Sequence, residues 1–327
     1  MMKNSDKYLD EPASVIAFYG LHMTTADLKV LLKQGIAWIQ DLNLSPSLLG
    51  TSRSSKYKPY QKGIRDLESK GYDDLTGFEL ISLPADLDDE TRGENFSLSV
   101  NLRFQQIIAS IRSELLDFQS PRFHQFADAI LRQCRPVYGI GFRRIFRYGP
   151  TWFALGIQYD FPPEEFLKNH HNHGENLEHK HYATRGLLSG LFPWNFLSYK
   201  QLQLPVAGKT LKDWILGDPS RGTLSSFPND IQLWELTEEQ IDSLGPILAE
   251  AGVIVDFKHE RELRWQEIEA RRSRAPTAEE ALAAAMQAFG FDSPDEVDIV
   301  QPKAAEGPRQ LTDNEKKNIF KKQPKKK

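Results

Sequence analysis

Apolar positions open the chain with a short, nearly continuous run from Ala13 to Gly20, which predicts a buried strand. Thr24-Thr25-Ala26-Asp27 then reads as a helix start of the capping-box kind, with Asp in place of the usual Glu. Beyond it Leu28, Leu31, Leu32, Gly35 and Ile39 recur at helical spacing and place one apolar stripe against a sheet. Residues 45–71 are rich in Ser, Lys, Tyr and Gly, which predicts a long surface connection with at most one short helix over 63–69. Phe78 to Leu83 and Phe96 to Phe104 read as strands on either side of the acidic turn Asp86-Leu87-Asp88-Asp89-Glu90. This first stretch is a strand, helix, strand, strand unit.

The pattern continues with helices expected over Ile107 to Phe118 and Pro121 to Cys134, the second capped by Ser120 with proline in its first turn. A strand pair, Val137 to Phe146 and Trp152 to Tyr159, is expected around Tyr148-Gly149-Pro150, so the second half echoes the first in element order. Residues 161–185 form a polar, histidine-rich connector. A third, smaller α/β portion follows over 186–257, marked by Leu187 to Leu202, Leu211 to Leu216 and Ile231 to Leu236. There Thr237-Glu238-Glu239-Gln240 opens another helix, expected to end at Gly252 before a short strand over Val253 to Phe257. Charged and amphipathic helices are expected over 258–290, the last of them capped by Thr277 and stopped by Gly290, and 291–327 has the composition of a disordered tail. The expected fold is α+β: mixed or antiparallel sheets with packed helices, in two successive strand-helix-strand-strand units with a smaller C-terminal α/β portion. The organisation is a flexible start over 1–12, a main region over 13–160, the connector over 161–185, the portion over 186–257, the helices over 258–290 and the tail.

Composition sharpens this outline. With 327 residues, 40% of them apolar, the chain can build a substantial core. Its apolar runs are far shorter than the roughly 20 residues that cross a bilayer, and its polar start does not resemble a secretory signal, so a cytoplasmic protein is expected. A single cysteine, Cys134, excludes an intrachain disulfide or a multi-cysteine zinc site. As the end of an apolar helical pattern it reads as a small buried thiol rather than a nucleophile. Residues 315–327 hold seven lysines against one acid, so a basic tail of +6 within a chain of −4 leaves −10 on the rest. An acidic body favours basic proteins as partners, whereas the tail favours polyanions.

Candidate chemistry is sparse. His170, His171, His173, His179 and His181 lie within twelve residues, interleaved with Glu175 and Glu178, a donor set suited to zinc. Their spacing is not the i, i+4 pair of a helical zinc motif, and a solvated loop accounts for them as well. Asp86, Asp88, Asp89 and Glu90 lack a second acidic motif for a two-metal site and read as a solvated hairpin loop. No G-x-S-x-G, Walker-type or G-x-G-x-x-G motif is present, and Gly139-Ile140-Gly141 lacks the third glycine of a phosphate cradle. Arg143, Arg144 and Arg147, set among Phe142, Phe146 and Tyr148, mix charge and stacking surface as a single-strand nucleic-acid binder does. On a strand these positions alternate in and out, so the aromatics are more simply core and the arginines surface. Trp194, within Phe192 to Leu197, is either an interface anchor or part of the core.

Several short stretches, taken in order, resemble the immunity proteins of bacterial polymorphic-toxin and type VI secretion systems. They are Phe18-Tyr19-Gly20, Gly77-Phe78-Glu79-Leu80, Phe96-Ser97-Leu98-Ser99-Val100, Arg221-Gly222-Thr223-Leu224 and Leu248-Ala249-Glu250-Ala251-Gly252. The resemblance spans most of 13–256 and implies a non-enzymatic cytoplasmic protein that binds and blocks a toxin, with no shared catalytic residues. The expectation is therefore a protein-binding protein without cofactor and without membrane attachment. A nucleic-acid or phage-defence component using the lysine tail and the arginine strand is the second reading, and a metal-dependent hydrolase built on the histidine connector is the third.

Overall fold

A computed structural model describes residues 8–87, 93–155 and 186–255. All of them fall in the first of the two units into which the chain divides, Met1–Arg264. The fold is α+β, built on one antiparallel sheet of ten strands.

The central strand β1 (Pro12–Tyr19) is buried at every position after its first, which is why it reads as an unbroken apolar run rather than an alternating one. It pairs on one side with β6 (Gln106–Arg112) and on the other with β7 (Tyr138–Ile145). Beyond β6 lie β5 (Phe96–Asn101), β4 (Gly77–Ser82), β2 (Leu48–Thr51) and the edge strand β3 (Ser54–Pro59). Beyond β7 lie β8 (Trp194–Leu197), β12 (Gln232–Glu235) and the opposite edge, β11 (Thr223–Ser226). A small separate ribbon is formed by β9 (Pro205–Val206) and β10 (Lys209–Thr210).

Three helices cover one face of the sheet: α1 (Thr25–Asp41), α2 (Tyr60–Lys70) and α3 (Pro121–Gln133). The five residues of the predicted stripe, Leu28 to Ile39, are the buried ones of α1. Asp27 accepts from both the backbone N–H and the hydroxyl of Thr24, at 2.7 and 2.8 Å, closing the start of that helix. Ser120 caps α3 by accepting from the Arg122 amide at 3.2 Å. The other face packs against α4 (Pro150–Ala154), α5 (Tyr199–Leu202), α6 (Leu211–Leu216) and α7 (Glu238–Glu250). The Thr237–Gln240 capping box opens α7, and Gly252 follows it with a φ of 70°.

Four expectations need correction. Residues 107–118 do not form a helix: β6 occupies Gln106–Arg112 and turns follow it. Its run Ile107-Ile108-Ala109-Ser110-Ile111 is buried on both faces between β1 and β5, and a short run of that kind has no period to separate helix from strand. Residues 45–71 are not a bare connection, because they form the β2–β3 hairpin and α2, which starts at Tyr60 rather than near 63. The strand expected from Trp152 is a short helix as far as residue 154, with Pro150 in its first turn after Gly149 at φ 57°; residues 156–159 lie outside the described residues. In place of a strand from Val253, an isolated parallel bridge joins Ile254 to Leu188. From β6 onward the order is thus strand, helix, strand, helix. The helices expected over 258–290 and the tail also lie outside the described residues. Among the described residues no helix is long and apolar enough to cross a membrane.

Candidate functional site: a polar groove on the sheet

Among the described residues the two faces of the sheet are filled unequally. On β4 and β5, Phe78, Leu80, Phe96, Leu98 and Val100 point into the core beneath α1 and α3. Their alternate neighbours Glu79, Ser97, Ser99 and Asn101 point the other way, as the period of two requires. Pairing aligns Gly50 with Glu79 and Glu79 with Ser99, so the floor is made mostly of small side chains. The result is a trough.

At one end the trough is a hollow of about 310 Å³ between the sheet and the segment carrying α4. Tyr57, Glu79, Glu94, Ser97 and Ser99 line it from the sheet side, and Thr151, Trp152 and Leu155 from the α4 side. A second hollow of about 210 Å³ continues toward Ser52, Ser54 and Asn101, sharing Tyr57, Glu79 and Ser99 with the first. Gly50 allows this shape: a Cβ there would stand 2.8 Å from the Tyr57 ring, which lies across it. Tyr57 in turn donates its hydroxyl to Glu79 and fixes that carboxylate over the floor.

Glu94 is held by a different device. The Arg112 guanidinium donates to the Gly93 carbonyl at 2.7 Å, stacks 3.9 Å from the Tyr8 ring and lies 3.2 Å from Glu11. Tyr8 donates to Asp86 at 2.7 Å, so that acidic residue of the β4–β5 turn braces the N-terminal segment. Gly93 has a φ of 113°, and a Cβ on it would meet Tyr8 at 2.6 Å. This framework presents Glu94, whose carboxylate accepts from the Gly93 amide at 3.2 Å and the Ser97 hydroxyl at 3.3 Å. Burial pushes its pKa up, opposed by those hydrogen bonds and by the charge of Arg112. The groove therefore offers one carboxylate fixed by a phenol and one poorly hydrated, beside the half-exposed Trp152 ring. Such a surface favours a cationic or hydrogen-bond-donating group.

The residues singled out from sequence lie elsewhere. Arg143 meets Asp117 at 2.5 Å. Arg144 is buried, donates to the Tyr148 carbonyl at 3.0 Å and sits 4.3 Å over the Phe153 ring. Arg147 makes a two-pronged contact with Asp10 at 2.7 and 2.9 Å. The three arginines therefore brace β7 and its flank and form no common stripe. Trp194 is 3% exposed and packs on Phe118, Phe123 and His124, so its place is the core beneath α3. Cys134 is buried at the end of α3, and desolvation with the nearby Asp27 charge raises its pKa to about 12, which leaves it a thiol at neutral pH. His170, His171, His173, His179 and His181 lie outside the described residues, as do Asp88, Asp89 and Glu90. Among the described residues no group of three or more His, Cys, Asp or Glu could hold a metal ion.

Sequence reasoning passed over Tyr57, Glu79, Glu94 and Trp152. The signal present was the alternation Phe96-Ser97-Leu98-Ser99-Val100, a strand with one apolar face and one face of small polar groups. It announces a wet face, but not what stands around it.

No protein-family model matches the chain, and no curated protein matches it. Among solved structures it is similar to a chain described as Pseudomonas aeruginosa T6SS protein PA0821, at 12% identity and a TM-score of 0.46, over 75% of this chain and 76% of that one. At that TM-score and identity the likeness assigns neither family nor activity.

Proposed function

We propose that the protein works by binding another protein, as a non-enzymatic neutraliser of a cognate bacterial toxin, with the polar groove as part of the contact surface. The observation that carries this reading is the groove itself: two differently held carboxylates, Glu79 and Glu94, over a floor of small residues, with Tyr57 and Trp152 at its sides. The chain's acidic balance outside its last thirteen residues agrees in sign with a basic partner. Inhibition would follow from covering the partner's active site. A basic side chain placed in the groove would gain charge-assisted hydrogen bonds from both carboxylates.

The test is co-expression with the product of the neighbouring open reading frame, read as rescue from toxicity and as co-purification. Rescue and a stable complex are expected. Glu79→Gln combined with Glu94→Gln should weaken that complex about tenfold or more, which corresponds to ~1.4 kcal/mol, while the melting transition stays cooperative. Absence of both rescue and complex would remove the neutraliser reading, and undiminished affinity in the double variant would remove the groove from it.

A further inference from the structure

Residues 53–70 hold six cations, Arg53, Lys56, Lys58, Lys62, Arg65 and Lys70, against two acids, Asp66 and Glu68. That is +4 within a body of −10, so everything else outside the lysine tail carries −14. The fold gathers this island of opposite sign onto one place. The period of two on β3 sends Tyr57 to the groove and Lys56 and Lys58 to the other face, where Gly63 seats α2 close against Leu49. On α2, Lys62, Asp66 and Lys70 follow one another at intervals of four and form one stripe along the helix.

Strand and stripe close on a hollow of about 60 Å³, whose polar lining is Thr51 and Ser54, the cations Arg53, Lys56, Lys58 and Lys70, and one acid, Asp66. A water-sized oxygen takes roughly 10–15 Å³ of such space, so there is room for the oxygens of one phosphate group. The nearby acids are already engaged. Lys58 donates to Asp66, while Arg53 donates to Asp74 at 2.8 Å and to the Gly71 carbonyl at 2.9 Å. The Lys58 hydrogen bond, with the charges of Lys70 and Lys62 behind it, holds the Asp66 carboxyl below its ordinary pKa, so three lysines crowd one carboxylate. Lys56, Lys62, Arg65 and Lys70 are exposed and form no ion pair among the described residues. Lysines on an edge strand deter further pairing, but that accounts for Lys56 and Lys58 alone. Arg53 precedes the strand, and Lys62 and Lys70 belong to the helix.

We propose that this cleft between β3 and α2 binds the phosphate backbone of a nucleic-acid strand, with one phosphate in the hollow and its neighbours met by the exposed cations on the two walls. Converging ammonium and guanidinium groups beside hydroxyls suit an oxyanion. Charge that continues past the hollow, at Lys62 and Arg65, suits a chain of phosphates rather than a single one. Tyr60 and Tyr72, the rings of this region, are packed against the core, so the contact is to the backbone and carries no base preference. The cleft and the acidic groove lie on opposite faces of the sheet and take partners of opposite charge.

Fluorescence anisotropy of a labelled, mixed-sequence single-stranded oligonucleotide, titrated with the full chain at about 0.1 M salt, tests this, because screening there confines charge effects to about 10 Å. Binding that weakens as salt rises is expected. Lys56→Glu combined with Lys70→Glu should lower the affinity roughly tenfold or more, and the milder Lys56→Gln with Lys70→Gln should flatten the log–log salt dependence by roughly 1 to 2. Asp66→Asn removes the acid of the hollow and should tighten binding, a gain that misfolding cannot imitate. Lys209→Glu with Lys212→Glu changes the net charge equally on β10 and α6, at the opposite edge of the sheet beside β11, and should cost far less. Glu79→Gln with Glu94→Gln should leave the oligonucleotide affinity unchanged, which keeps this site separable from the groove. An oligonucleotide that fails to bind would overturn the proposal, including when an acidic protein is the true occupant. Affinity untouched by the Lys56 and Lys70 substitutions, or lowered as much by the Lys209 and Lys212 pair, would overturn it equally and leave the lysine tail as the polyanion site.

Discussion

Single residues carry the clearest expectations about stability and reactivity. Glu94 has its carboxyl pKa raised in the folded chain, so the folded state holds its proton to higher pH than the unfolded one does. Stability attached to this group is therefore lost as pH rises from the ordinary carboxylate value through the folded one. Glu94→Gln should raise the melting temperature at neutral pH, with the gain shrinking in melts recorded at progressively more acid pH. Cys134, with its thiol at about 12, should resist iodoacetamide at pH 8 in the native protein and react fully once denatured. Trp194 stands within 4.4 Å of the Phe118 ring and 4.3 Å of His124, and truncation to alanine should cost ~3–5 kcal/mol in denaturant unfolding.

Elements depend on local signals and on what passes over them. Ser120→Ala removes the acceptor at the start of α3 and should cost about 1 kcal/mol. Gly139 in β7 has a different role, because a Cβ there would come within 2.5 Å of the Phe18 ring on the neighbouring strand. Gly139→Ala should therefore destabilise by ~1–3 kcal/mol through forced repacking, measurable in the same unfolding experiment. The Gly-Ile-Gly pattern that in isolation resembles half a phosphate loop is thus a packing solution for bulky rings crossing a sheet. The helices α1, α3 and α7 were legible because each has a cap and a period within its own residues. The strand β6 was not, because a five-residue apolar run is compatible with either element until its neighbours are known.

For the whole molecule, the unequal filling of the two sheet faces matters most. The half of the sheet around β1 and β7 is covered on both sides, whereas β4 and β5 present a polar face that becomes the floor of the groove. Binding through carboxylates there should weaken as ionic strength rises, in proportion to how far the contact stays hydrated. Deleting residues 315–327 separates this from attraction through the lysine tail. Complex formation with a basic protein should survive the deletion, and any salt-sensitive retention on a polyanion resin should fall.

The amino-acid sequence by itself determined the α+β class, the central strand, the capped helices and the separation of an acidic body from a basic tail. These follow from local periodicity, capping chemistry and composition, which need no partner in space. Tertiary structure alone decided that ten strands share one sheet, that Arg143, Arg144 and Arg147 take separate partners in Asp117, Tyr148 and Asp10, and that Trp194 is core. It also decided that Tyr57, Glu79, Glu94 and Trp152 meet around one groove. These residues lie up to about a hundred positions apart, on a hairpin, a strand, a loop and a short helix. Only long-range pairing, which leaves no period in the sequence, brings them together.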